Sequence, residues 1–175
     1  FVYKPPTEWI PPDSFPTEKL CQAKEIAIDL ETRDPNLKEL GPGYIRGDGE
    51  VVGISFAVEG YEHYFPFGHE TGFNFPKKKV IDFTKKVCAT NSDKIFHNAT
   101  YDVGWLTKEG VPVKGRIIDT MVVAPLIDEN QYWYTLNALG REYVNEGKTE
   151  ADLNEAAAEW GLDPKADLWR LPSAF

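Results

Sequence analysis

The sequence predicts an α/β domain in which a mixed five-stranded sheet is flanked by helices. Three observations carry that expectation. Strand-like runs at 24–31, 51–58 and just after Gly60 follow one another with only turns between them. Beyond residue 75 the pattern changes, and helical spacings alternate with short apolar strands. Apolar residues make up 42% and aromatics 13% of 175 residues, enough for one domain with a sizeable core.

The elements follow in order. Residues 1–19 hold five prolines and read as an extended arm lying on the domain, anchored by Trp9; the domain proper is expected over 20–175. In "EIAIDLETRDP" (25–35) a strand puts Ile26, Ile28 and Leu30 on one face and Ala27, Asp29 and Glu31 on the other. Residues 32–49, with Pro35, Gly41, Pro42, Gly43, Gly47 and Gly49, read as a loop. "VVGISFAV" (51–58) and "EGYEHYFPF" (59–67) complete an antiparallel meander. Val80, Phe83, Val87 and Cys88 mark a helix over 76–90 whose lysines form its solvated face. "DKIFHN" (93–98) is a short buried strand, and 99–110 a helix closed by Gly110. "RIIDTMVVAPLID" (116–128) starts as a strand and continues as a helix bent or ended by Pro125. Residues 135–144 and 149–161 are helical, the second with Thr149 and Asp152 as a capping box and Gly161 as its stop. Hairpin-linked strands followed by β–α alternation give a sheet that is antiparallel on one side and parallel on the other.

Charge and cysteine usage narrow the function. A net charge of −9 counts against a protein that grips phosphate backbones directly, but not against one that meets phosphates through cations. Cys21 and Cys88 imply no disulfide framework and fit a reducing, cytoplasmic compartment. No apolar run approaches the ~20 residues of a membrane helix, and no secretory leader is visible.

Asp29 and Glu31 point the same way, with backbones about 7 Å apart at roughly 3.3 Å per residue. Held that close, they call for positive charge. Asp102 falls in the first helical turn after the 93–97 strand, and ligands collect at the carboxyl ends of such strands. If the 24–31 and 93–97 strands lie parallel and adjacent, the three carboxylates converge. That donor set suits hard divalent cations, Mg²⁺ or Mn²⁺. Two such ions about 4 Å apart clamp the attacking and leaving oxygens of a phosphodiester. Singly, each residue has a structural reading as well: Asp-x-Glu is common at strand ends, Asp102 complements a helix dipole, and Asn98 caps the same helix. Together, in this strand order, the functional reading is preferred. Trp105, Phe83 and Tyr101 read as core, and Phe65 and Phe67 as core or base-stacking platforms.

"IAIDLET", "FHNATYDVGWL", "IIDTMVVAPLID" and "YTLNALGREYV", in that order and spacing, resemble the proofreading 3′–5′ exonuclease domain of family A DNA polymerases, a DEDD-superfamily nuclease, in its bacteriophage form. The resemblance covers essentially the whole chain. It implies an RNase H-like fold and two-metal hydrolysis of the 3′-terminal phosphodiester of single-stranded DNA. It assigns Asp29 and Glu31 to the first motif and Asp102 to the second, all three as catalytic metal ligands. Thr32 and Asn98 would hold the terminal nucleotide, and Leu37 would press on the last base. A covalently linked polymerase domain is implied in the parent protein, in the host cytoplasm if viral.

The third family motif, Tyr-x-x-x-Asp or a histidine five residues before an aspartate, is absent in its expected place. His97 and Asp102 stand five apart, but nothing between Glu31 and His97 resembles a second motif, so His97 reads as a strand-end residue near the site. His63 and His69 read as surface or turn residues. The chain stops just short of where the third motif would fall, so a piece of a longer protein, slow or inactive by itself and with core exposed to self-association, is expected. An RNA-trimming exonuclease of the same fold and a catalytically lapsed domain that binds DNA ends are the alternatives; a metal-free glycosidase accounts for neither Asn98 nor the strand order.

Overall fold

The computed structural model describes residues 9–145, 150–163 and 166–174. Five strands form one sheet in the order β3-β2-β1-β4-β5. They are β1 (Glu25–Arg33), β2 (Glu50–Val58), β3 (Tyr61–Pro66), β4 (Asp93–Phe96) and β5 (Ile117–Asp119). β1–β2 and β2–β3 pair antiparallel, and β1–β4 and β4–β5 pair parallel. The mixed sheet is thus the one the order of elements predicts. Parallel neighbours arise where helices α4 (Lys77–Cys88) and α5 (Ala99–Lys108) supply the crossovers.

Alternation in β1 decides the layers. Ile26, Ile28 and Leu30 are buried, and their face packs against α1 (Thr17–Gln22), α4 and α5 through Leu20, Val80, Phe83, Val87, Trp105 and Leu106. Phe65 and Phe67 belong to this core rather than to any exposed platform. Phe15, from the proline-rich lead-in, stacks on Phe65, Phe75 and Phe83 with ring centroids 5.0–5.5 Å apart. Each such ring contributes about 1.5–3 kcal/mol of burial, with about 0.5–1.5 kcal/mol more per well-placed pair. Trp9 stacks on His63 at 6.1 Å, and His63 Nε2 faces the Ile10 carbonyl at 3.0 Å. Trp9 therefore anchors the described part of the arm, and residues 1–8 lie outside the described residues.

Some expectations change. β1 runs on to Arg33, with a register shift between Glu31 and Thr32. The 32–49 loop contains two single-turn helices, α2 (Leu37–Leu40) and α3 (Gly43–Arg46). α3 is held by Asp34, which accepts from the Gly43 amide at 2.8 Å and from Arg46 at 3.1 Å, contacts that no local periodicity announces. His69 lies in the turn after β3, half-buried, and is hydrogen-bonded to Tyr64 and to the Leu171 carbonyl. α6 (Thr120–Ile127) carries Pro125 within it and ends two residues later, and α7 (Leu136–Leu139) continues as a π turn over Gly140–Val144. α8 (Glu150–Glu159) stops before Gly161, whose φ of +67° is the left-handed conformation that glycine adopts without strain. The Thr149–Asp152 capping box lies outside the described residues. On α6 and beyond, Val122, Leu126, Ile127 and Trp133 are exposed.

At the amino end of β4, Lys94 is fully buried. Its Nζ donates to the carbonyls of Thr90, Ser92 and Lys114 at 2.9, 2.9 and 3.0 Å. Burial lowers its pKa. The segment 168–173 returns to the sheet's other margin: the Glu70 amide donates to the Trp169 carbonyl at 2.8 Å, and the Arg33 guanidinium lies 4.3 Å over the Trp169 ring.

Candidate active site

Asp29 and Glu31 sit on the face of β1 opposite the main core, with Asp29 exposed and Glu31 half-buried. Across the sheet Asp29 pairs with Ser55 and Ser55 with Tyr64, while Glu31 pairs with Gly53. Asp102 enters from the first turn of α5, is 3% exposed, and is hydrogen-bonded by the backbone of Leu30, the residue between the two β1 acids. Burial pushes its carboxyl pKa up to about 8, and the charges of Asp29, Glu31 and Asp119 push the same way. The carboxylates of β1 and α5 therefore share one electrostatic field. An oxygen-only, anionic donor set fits a hard divalent cation. Among the described residues, no three His, Cys, Asp or Glu side chains stand close enough to form a finished metal cage.

Asn98 occupies the position before α5 at a φ of +73°, a left-handed conformation that asparagine tolerates better than most residues. Its side chain makes no capping hydrogen bond and is exposed, so the capping reading of Asn98 is set aside. Asp119 does that work. Its carboxylate accepts from the amides of Asn98 (3.0 Å), Ala99 (2.8 Å) and Met121 (3.0 Å), tying the starts of α5 and α6 to the end of β5. Sequence reasoning gave Asp119 no role, although aspartate directly before an apolar helical run is an N-cap signal.

Thr32 Oγ1 lies 2.8 Å from the Tyr101 hydroxyl, which donates to Asp34 at 3.1 Å. The Asp34 carbonyl accepts from the Leu37 amide at 3.2 Å, and the Leu37 side chain is 39% exposed. Thr32 and Leu37 are thus linked through Tyr101 and Asp34 beyond the carboxyl end of the acidic strand. His97 lies by Thr120, Nδ1 to Oγ1 3.0 Å, and lines a cavity of about 500 Å³ with Asp29, Tyr64, His63, Trp9 and Leu136.

Residues 16–170 match the family model described as 3′–5′ exonuclease. The chain belongs to the 3′–5′ exonuclease family of family A DNA polymerases. A DNA-directed DNA polymerase of Pseudomonas phage M6 is 36% identical over 174 residues, 97% of this chain and 26% of that polymerase. The exonuclease chain thus spans about a quarter of the length of that relative. Among solved structures, the catalytic core of RRP6 from Trypanosoma brucei is similar at a TM-score of 0.59 and 16% identity, over 90% of this chain and 35% of that one. Brucella melitensis NrnC with bound Mg²⁺ is similar at 0.55 and 16%, over 77% and 60%. At these identities the two structures establish the fold of the exonuclease domain.

Proposed function

We propose that this chain is a proofreading domain that hydrolyses the 3′-terminal phosphodiester of single-stranded DNA with two divalent ions, Mg²⁺ or Mn²⁺, and that it works joined to a polymerase. One observation carries the reading: Asp102, on α5, is buried against the strand of Asp29 and Glu31, whose charges act against its ionised form. A purely structural domain gains nothing from that repulsion, and divalent cations relieve it.

Asp29, Glu31 and Asp102 would hold the ions, which, when bound, would supply an activated water and offset the charge on the departing 3′ oxygen. The remaining work falls to the chain's own groups. Asn98, its backbone fixed by Asp119 and its side chain exposed, reaches toward the terminal nucleotide. Thr32, set by Tyr101, borders the same edge, and Leu37 offers an apolar contact to the last base. The Leu30 backbone keeps Asp102 from swinging out of the site.

Calorimetric titration with Mn²⁺ tests the site, and a 3′-labelled DNA strand beside a matched RNA strand tests the substrate. The expected result is Mn²⁺ binding that Asp29→Ala weakens at least tenfold, with slow mononucleotide release from DNA. Equal Mn²⁺ affinity in Asp29→Ala overturns the metal site, and preferential release from RNA overturns the choice of DNA.

A further inference from the structure

Tyr64 does not stand where its own strand register alone would leave it. Cross-strand partners share a face, so Asp29, Ser55 and Tyr64 form one row and Glu31 and Gly53 the next. The Tyr64 ring leans out of its row and lies across Gly53: a Cβ at residue 53 would meet Tyr64 Oη at 1.9 Å and Cζ at 2.2 Å. Glycine leaves the space, and the phenol oxygen thereby enters the row of Glu31. The electrostatics agree with that placement. After burial, the charges of Glu31 and Asp29 are what raise the Tyr64 pKa, so the phenol stays neutral.

The proton on that oxygen can be located. His69 Nδ1 faces the Leu171 carbonyl at 3.0 Å, and a carbonyl only accepts, so Nδ1 carries hydrogen. Burial lowers the His69 pKa and keeps the ring neutral, which leaves Nε2 as an acceptor. Nε2 lies 2.6 Å from Tyr64 Oη, so the phenol donates to it. His69 is itself held on both sides of its backbone. Its amide donates to Asn74 Oδ1 at 2.9 Å, and Asn74 Nδ2 donates to its carbonyl at 3.0 Å. Leu171 is buried, on the segment that ties back to the 70–73 loop through Arg170–Glu70 at 3.0 Å and Ser173 to the Phe73 carbonyl at 2.6 Å.

With its proton directed to His69, the Tyr64 oxygen has only lone pairs to offer on the side of the acids. It cannot bond a carboxylate. It can accept from a water molecule, including one in the hydration shell of a cation. We propose that Tyr64, oriented by His69 and the Leu171 carbonyl, is a positioning residue of the acidic site, its oxygen accepting a hydrogen bond from water held by Asp29 and Glu31. The proposal rests on the metal-dependent nuclease reading and adds a residue to it from β3.

Two measurements on the full chain test it. The ¹⁵N spectrum of His69 should show the Nδ1–H form, and its Nε2 resonance should move when Mg²⁺ is added, because polarising the bound water polarises the phenol behind it. Tyr64→Phe removes one oxygen and leaves His69 Nε2 without its donor; it should weaken Mg²⁺ binding about tenfold, as loss of a group supporting a metal site does, while the lost hydrogen bond lowers the melting temperature without unfolding the chain. A protonated Nε2 in the wild type, an Nε2 resonance indifferent to Mg²⁺, or wild-type Mg²⁺ affinity in Tyr64→Phe overturns the proposal. If wild-type Mg²⁺ binding is Asp29-dependent and Tyr64→Phe matches it, this inference falls and the nuclease reading stands. If the wild type binds Mg²⁺ no better than Asp29→Ala, both fall.

Discussion

Lys94, near the start of β4, and Asp102, in the first turn of the helix that follows that strand, are both nearly closed to solvent, at 0% and 3% exposure. Their surroundings are opposite. Three carbonyls from two turns converge on the Lys94 ammonium, which makes the amino end of the sheet a finished structure. Asp102 has the Leu30 backbone as a hydrogen-bond partner and three acids acting against it. A buried charge with its partners in place rigidifies a fold, whereas one held among like charges is a cost the fold carries for another purpose. The same sheet therefore separates an end whose buried charge is satisfied from an end whose buried acid is opposed, and substitutions at the two should differ in sign as well as size.

The largest effect is expected at the satisfied end. Lys94→Ala removes three methylenes and the ammonium from a closed site and leaves three carbonyls without that donor. A loss of about 3–5 kcal/mol follows from the cavity and the unsatisfied acceptors. Urea denaturation measures it, and a loss under 1 kcal/mol would mean that water replaces the ammonium and that this end is not sealed.

Asp102→Asn should do the reverse. In the metal-free protein it removes a carboxylate that burial and Asp29, Glu31 and Asp119 all disfavour. The folded pKa, about 8, lies above the ordinary value of 3.8. Between those values the native state keeps a proton that the unfolded state has released, so stability falls as pH rises through that window. Below it the acid is neutral in both states and the penalty is absent. Metal-free wild type should thus lose stability from pH 4 to pH 8, and Asp102→Asn should lose less and exceed wild type at pH 8 by about 1–3 kcal/mol. Added Mn²⁺ should stabilise wild type at pH 8 and leave Asp102→Asn nearly unmoved. Thermal melts across pH, with and without Mn²⁺, decide it; a variant less stable than wild type at pH 8 would place Asp102 with Lys94 as a structural residue.

Much of this contrast was legible in the sequence. Alternation in 25–31 put Asp29 and Glu31 on one face, and strand order brought Asp102 to them, because periodicity and connectivity are local signals. The helices over 77–88 and 99–108 were equally plain. What escaped depends on distant contacts. α2 and α3 are four residues each, and α3 is held by Asp34, outside both. His69 reads as a turn residue and lies in a turn, but its partner, Leu171, 102 residues away, was out of reach of any local signal. Lys94 read only as part of a short buried strand, since the carbonyls that receive it belong to turns whose approach no pattern encodes. Asp119 is different: its capping signal was present and stood inside a motif that was read only for its apolar residues.

Asp119 also gives the smallest and most selective test, because it belongs to both ends of the contrast. It is satisfied, accepting from three amides, and it adds to the field that keeps Asp102 protonated. Asp119→Asn keeps an amide oxygen for one or two of those donors and removes the charge. The capping loss should be about 1 kcal/mol near pH 4, where Asp102 is neutral in any case. At pH 8 the loss should shrink, because Asp102 then ionises against one charge fewer. Melts of this variant at the two pH values measure the difference directly. A larger loss at pH 8 than at pH 4 would show that Asp119 acts on the site through backbone placement alone, and that its charge does not reach Asp102.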